Sequence, residues 1–196
     1  MSRYEADDTY CMPGTTVLKN KAGITDQNLL DEFEGDFTTL RIIELSEQAI
    51  DGDFDLDHLC KIHAHIFQDV YDWAGMVRTV DIVRGDSRFC NARLIASYAN
   101  KVFTTLKDEN HLRGLEASPI SHRLAHYLSE INAIHPFREG NGRVQRLFIA
   151  QLAEQAGFAL DYSALNQADV YPIMQASFTG EERPLAALIF SIISES

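Results

Sequence analysis

Apolar positions recur at helical spacing along most of this chain. Over residues 26–50, Leu29, Leu30, Phe33, Phe37, Leu40, Ile43 and Leu45 form the apolar set of a predicted helix that Gly52 stops. Asp55 is placed to cap a second helix through Phe67, with Leu56, Leu59, Ile62, Ile66 and Phe67 apolar, and Trp73-Ala-Gly75 closes that unit. The period then changes. Residues 77–83 alternate and are rich in β-branched side chains, Arg84 to Ser87 read as a turn, and Arg88-Phe-Cys90 can return. A hairpin over 77–90 is predicted, too small to be stable unless it lies against helices. Helical spacing resumes from Ala92 to Lys107, with Ile95, Ala99, Val102, Phe103 and Leu106 inward.

Ser118-Pro119 reads as a cap with proline at the first helical position, opening a run from Ile120 to Ile134. Pro136 cannot continue that helix. A further helix follows with Val144, Leu147, Phe148 and Leu152 on one face, and Gly157 ends it. Two more are expected, within 166–178 and from Pro184 to Ile193. Residues 1–25 are polar, with Pro13-Gly14 and Gly23, and read as an ordered arm. The expectation is one all-α domain over 1–196, a helical bundle with the hairpin as its only β element.

Composition narrows the partners. A net charge of −12 argues against a nucleic-acid binder and against an anionic membrane surface. No apolar run approaches the ~18 residues of a membrane span. Cys11, Cys60 and Cys90 are odd in number and widely spaced, which reads as reduced thiols and not as a disulfide framework or zinc site. With no apolar leader segment visible, a cytoplasmic protein is expected.

The chemistry concentrates in His135-Pro-Phe-Arg-Glu-Gly-Asn-Gly-Arg143 and continues to Arg146. Gly140 to Gly142 fall at a predicted helix N-terminus, where backbone N–H groups and the helix dipole attract anions. Arg143 and Arg146 are three apart on the first turn and point the same way, two forked guanidiniums suited to a di- or triphosphate. Glu139 is a hard oxygen ligand of the kind that holds Mg²⁺ beside phosphates. His135 titrates near neutrality and is the candidate general base.

This stretch resembles the Fic-domain motif, HxFx[DE]GNGRxxR, and matches every fixed position. The resemblance implies transfer of AMP from ATP to a Tyr, Thr or Ser hydroxyl of a target protein. His135 would be the base, Phe137 a core anchor and Glu139 the Mg²⁺ ligand. Gly140, Asn141 and Gly142 would line the anion hole, and Arg143 and Arg146 would hold the β/γ end. Arg138 joins these as a candidate ATP-binding position. Related proteins of the Doc type depart at the motif's glycine and first arginine and transfer phosphate; Gly140 and Arg143 are intact here. Residues 77–90 correspond to the family's flap, with Ile82 and Val83 as candidate target-binding residues. Thr9 to Asp26 also resembles the N-terminal arm of stand-alone bacterial Fic proteins.

Fic enzymes are commonly held off by a [S/T]-x-x-x-E-[G/N] helix whose glutamate pairs with the second motif arginine. Three partial versions occur: Glu34-Gly35 has Leu30 where Ser or Thr belongs, Ser177 to Glu181 is followed by Glu182, and Ser191 to Glu195 by Ser196. The resemblance therefore implies a toxin restrained by a small helical antitoxin that supplies the glutamate to Arg146, with type II topoisomerase ATPase subunits as targets of related toxins. The alternatives are another nucleotide or phosphate-bearing group moved by the same loop, and a non-catalytic helical protein-binding module. His122 and His126 lie four apart, but without the glutamate of a zinc helix they read as polar helix positions. His63 and His65, two apart, should diverge, and Asp53, Asp55 and Asp57 lack the offsets of a calcium loop.

Overall fold

The structure is a computed structural model that describes residues 9–85 and 87–196. The first eight residues of the expected N-terminal arm, and Asp86 of the expected turn, lie outside it. Among the described residues seven α-helices carry the fold: α1 (Gln27–Glu47), α2 (Leu56–Phe67), α3 (Ile95–Asp108), α4 (Ala117–Ile134), α5 (Asn141–Glu154), α6 (Gln167–Phe178) and α7 (Arg183–Ile192). α4 is the central element. Ile120, Leu124, Ala125, Tyr127, Leu128, Ile131 and Ile134 are buried round its circumference because α3, α5, α6 and α7 all pack on it. Among the described residues no helix is long and apolar enough to cross a membrane.

Local chemistry places most helix ends where the sequence suggests. The Asp26 side chain accepts from the N–H groups of Asn28 and Leu29, and Asp55 accepts from His58 N. α4, however, starts at Ala117 after Glu116, so Ser118 and Pro119 lie inside its first turn and Ser118 is not the cap. That position is still open to proline, since the first-turn N–H groups have no helical acceptor.

The largest departure from the helical pattern is α1. Its buried residues are Leu30, Glu34, Thr38 and Leu45, whereas Leu29, Leu40 and Ile43 are exposed. The helix is rotated away from the face that hydrophobicity alone selects, and two polar side chains point inward.

The hairpin is shorter than expected. β1 (Val83–Arg84) pairs antiparallel with β2 (Ser87–Arg88), Val83 opposite Arg88. A second two-stranded sheet corrects the expectation of a single β element: β3 (Phe158–Leu160) pairs antiparallel with β4 (Ile193–Glu195). Each strand has only three residues, too few to show alternation, and the pairing joins segments more than thirty residues apart. Residues 9–24 form an ordered arm, with Cys11 bridged to Leu18, and Val17 and Leu18 buried.

What fixes the hairpin is Arg78, only 1% exposed. Its Nε donates to the His135 carbonyl at 2.8 Å, Nη1 to Val80 O at 2.6 Å, and Nη2 to Cys90 O at 2.5 Å and Ile134 O at 3.3 Å. Cys90 N adds a bond to Ala133 O, and Arg78 N one to Pro136 O. One guanidinium thus ties both ends of the hairpin to the end of α4. Arg78→Met should strand these buried carbonyls and cost about 3 kcal/mol or more. A urea melt followed by circular dichroism checks this, and an unchanged midpoint would show that the anchor is dispensable.

Candidate active site

α4 stops at His135 because that residue adopts the left-handed conformation (φ 46°), while its N–H still bonds Ile131 O. The chain then turns through Pro136 to Gly140 and enters α5 at Asn141. Gly140 also has positive φ (81°), and a Cβ there would sit 2.2 Å from Phe67 Cζ, so only glycine fits. The turn is cross-braced by Asn141. Its Oδ1 accepts from Phe137 N at 2.9 Å and its Nδ2 donates to Phe137 O at 2.7 Å.

His63 supports the same loop from α2. It is fully buried between the rings of Phe67 and Phe137, whose centroids lie 4.6 and 4.1 Å away. Its Nδ1 accepts from Gly75 N at 2.8 Å, so Nε2 carries the proton and donates to the Glu139 carbonyl at 3.1 Å. The sequence reading of His63 as structural and divergent from His65, which pairs with Glu44, agrees with this arrangement. His122 and His126 turn to different partners. His122 bonds the Ser118 carbonyl, and His126 faces Glu182 at 3.2 Å.

The loop opens onto a cavity of about 510 Å³ lined by His135, Glu139, Gly140, Gly142, Arg143 and Arg146 on one side. The far wall is made by Tyr162, Leu165 and Val170 and by side chains of α6 and α7, including Met174 and Ile189. Arg84 of the hairpin reaches across, its guanidinium 5.2 Å from the Tyr171 ring. Among the described lining residues are three arginines and a single carboxylate, Glu139, in a protein of net charge −12. The positive charge is local. Arg138 and Asn141 do not line the cavity; the Arg138 side chain is wholly buried. Ile82 packs into a small apolar cluster with Phe89, Val80 and Phe178, and Val83 is half-buried in β1.

The His135 ring stacks on Phe89 with centroids 3.8 Å apart, and its Nδ1 donates to the Asn132 carbonyl at 3.0 Å. That bond fixes the tautomer and makes Nε2 the nitrogen able to take a proton. Burial, with the charges of Arg78 and Arg84 adding, pulls the His135 pKa down to about 3. Burial also pulls His63 down to about 3, and Arg143 adds to it.

The two motif arginines differ. Arg143 donates from Nη2 to Glu34 Oε1 at 2.6 Å and from Nη1 to Thr38 Oγ1 at 3.1 Å, and its guanidinium lies 4.7 Å from the Phe67 ring. Tyr71 donates its hydroxyl to the other oxygen of Glu34. Arg146 has no hydrogen-bond or ion-pair partner among the described residues. It lines the cavity with its side chain still open to solvent. Partial desolvation lowers its pKa, and the charge of Arg143 adds to this. Beside it the buried Tyr162 hydroxyl is also without a hydrogen-bond partner among the described residues. Sequence reasoning missed Arg78, Phe89, Tyr71, Thr38 and Tyr162 as site residues; Glu34 was visible only as an incomplete pattern.

Glu139 suits a divalent cation: it is a hard oxygen donor on the cavity wall, 3.8 Å from Arg143, with its Oε1 accepting from Gly140 N at 2.9 Å.

Residues 53–153 match the model of the Fic/DOC family. The chain is 43% identical to the protein adenylyltransferase VbhT of Bartonella schoenbuchensis across 100% of its own length, and spans 41% of that longer protein. It is 44% identical over 196 residues to a probable protein adenylyltransferase of Sinorhizobium fredii, covering 98% of this chain and 100% of the relative. Its fold superposes on the BepC effector protein of Bartonella tribocorum, solved with bound AMPPNP. The TM-score is 0.88, the identity 27%, and the coverage 95% of this chain and 97% of that one.

The buried histidines make stability depend on pH. His63 and His135 are held near 3 in the folded protein against 6.5 when exposed, and burial also lowers His58. Below about 6.5 the unfolded chain takes up protons that the folded chain refuses. Stability is therefore full above that pH and falls as pH drops toward the folded values, by about 1.4 kcal/mol per unit for each such group. Urea melts from pH 7.5 to 5 should show this decline, and His135→Ala should reduce the slope by one proton's worth. An unchanged slope in that variant would mean His135 is not held neutral by burial.

Proposed function

Because this chain belongs to the Fic/DOC family, we propose that it is a protein adenylyltransferase, moving AMP from ATP to a hydroxyl side chain of a target protein. The observation that carries this is the meeting in one cavity of the neutral His135, the lone carboxylate Glu139 and the arginines Arg84, Arg143 and Arg146. The volume, about 510 Å³, suits a nucleotide. The phosphates would lie at the α5 N-terminus, on Arg143, Arg146 and the backbone of Gly140 to Gly142. The nucleoside would lie in the apolar half between α6 and α7, with the Tyr162 hydroxyl as a donor beside Arg146. The buried Arg138 and the loop-bracing Asn141 contribute by shaping the loop.

Transfer needs a nucleophile made at the right place. The target hydroxyl gives its proton to His135 Nε2 as its oxygen bonds the α-phosphorus. The bond from that phosphorus to the β-bridging oxygen breaks, and pyrophosphate leaves against the arginines. A pKa near 3 belongs to the cavity without anions; the negative charge of a bound triphosphate favours the imidazolium and raises it again. Glu139 would hold Mg²⁺, which would supply neutralisation of phosphate charge. The target segment would align along the short hairpin, at Ile82 and Val83, by strand addition.

ATP labelled at the α-phosphate, incubated with the protein and a bacterial lysate, should mark a lysate protein. His135→Ala should cut that labelling by ~10²–10⁴-fold while keeping the fold. Label that travels from the γ-phosphate instead would replace the reading with phosphate transfer.

We also read the protein as a toxin restrained by a separate chain. Arg146 lacks a partner among the described residues, and none of the three partial inhibitory patterns provides one. Glu34 bonds Arg143, and Glu195 is exposed in β4. A carboxylate from a small helical partner would satisfy Arg146 and bar it from phosphate. Expression of this chain alone should slow growth, and His135→Ala should abolish that effect. Co-expression of the adjoining small reading frame should also relieve it. Growth that is unaffected by an active enzyme would refute the toxin role.

A further inference from the structure

Burial of Glu34 and Thr38 on α1 calls for a cause. Thr38 is 2% exposed and Glu34 8%, on a helix that leaves Leu29, Leu40 and Ile43 in water. A helix that buries a carboxylate and exposes leucines is held that way by a specific partner, because an unpaired buried carboxylate is strongly unfavourable. The partner is Arg143, and both carboxylate oxygens of Glu34 are engaged. Glu34 Oε1 accepts from Arg143 Nη2, Glu34 Oε2 accepts from the Tyr71 hydroxyl, and Thr38 Oγ1 accepts from Arg143 Nη1 while donating to the Glu34 carbonyl at 2.7 Å. Tyr71 is itself fixed, 1% exposed and stacked on Trp73 with centroids 4.2 Å apart. Burial, reinforced by the Glu34 charge, pushes its phenol pKa far up, so it stays a donor.

We propose that Glu34 is a positioning residue for Arg143, and that Tyr71 and Thr38 complete the bracket. The proposal rests on the nucleotide reading above. A guanidinium carries five N–H groups. The bracket uses two of them and leaves the rest for phosphate oxygens, with Arg143 still on the cavity wall. An arginine on a flexible stem loses rotamer freedom when it grips a ligand, and fixing it beforehand removes that cost from the binding step. The opposite role, in which Glu34 masks Arg143 from phosphate, makes the opposite prediction.

Nucleotide binding by calorimetry and labelling kinetics decide between them. With Glu34→Gln, the dissociation constant for ATP and the KM for ATP should rise about tenfold or more, with kcat changing less. Tyr71→Phe keeps the ring stacking and loses only the hydroxyl, so it should shift the same constants in the same direction by a smaller factor. In an Arg143→Ala background, Glu34→Gln should weaken ATP no further, because its effect passes through that arginine; a purely structural role would lower affinity in both backgrounds. Thermal melts report the fold of each variant, and if Glu34→Gln does not fold, Tyr71→Phe and Thr38→Val decide the question. ATP affinity or labelling equal to or above wild type in a folded Glu34→Gln or Tyr71→Phe overturns the proposal. Wild-type protein that neither binds ATP nor labels a target would instead refute the nucleotide reading itself.

Discussion

The loop from His135 to Gly140 passes through the protein interior, and buried backbone must have hydrogen-bond partners. Most of the remaining architecture answers that demand. Asn141 closes the loop on itself, His63 takes the Glu139 carbonyl, and Arg78 takes the carbonyls of Ile134 and His135. These three side chains come from α5, α2 and the stretch before β1. The loop's shape is therefore a property of the whole packing, and the helix bundle serves as its mould. Such a loop reorganises little when a ligand arrives, and preorganised dipoles stabilise developing charge most effectively.

The electrostatics follow the same economy of placement. The protein is strongly acidic overall, yet its cavity wall carries Arg84, Arg143 and Arg146 with one carboxylate. The cavity wall is thus locally positive against an acidic background. Within the cavity the arginines are prepared differently. Arg143 is bracketed from α1 and by Tyr71, whereas Arg146 stands unpartnered among the described residues beside the orphaned Tyr162 hydroxyl.

The hairpin is bound to His135 twice over. Phe89, just beyond β2, stacks on the His135 ring, and Arg78, just before β1, holds the His135 carbonyl. One contact is apolar and the other polar, so the ring and the backbone of His135 are both fixed from the hairpin. The same Phe89 joins Ile82 and Phe178 in a small apolar cluster separate from the main core, which couples the hairpin to α6 and so to the cavity's far wall.

The sequence by itself determined the elements whose cause is local. Period and capping located α2, α3 and α5, since Asp55, Gly140 and the apolar stripes act within a few residues of where they stand. It also carried the motif, because its glycines, arginines, glutamate and histidine all stand within one turn and one loop. What only the tertiary structure decided has a distant cause. β3 and β4 are three residues each and exist because α7 returns the chain to the end of α5. The face that α1 buries was set by Arg143, more than a hundred residues away in sequence, against the pull of Leu29, Leu40 and Ile43. Arg78 looks like any polar residue in a strand-like run until α4 presents it with the carbonyls it satisfies. Hydrophobic spacing records what a residue prefers on average, whereas a buried charge records one particular partner, and that partner is named only when the chain has folded.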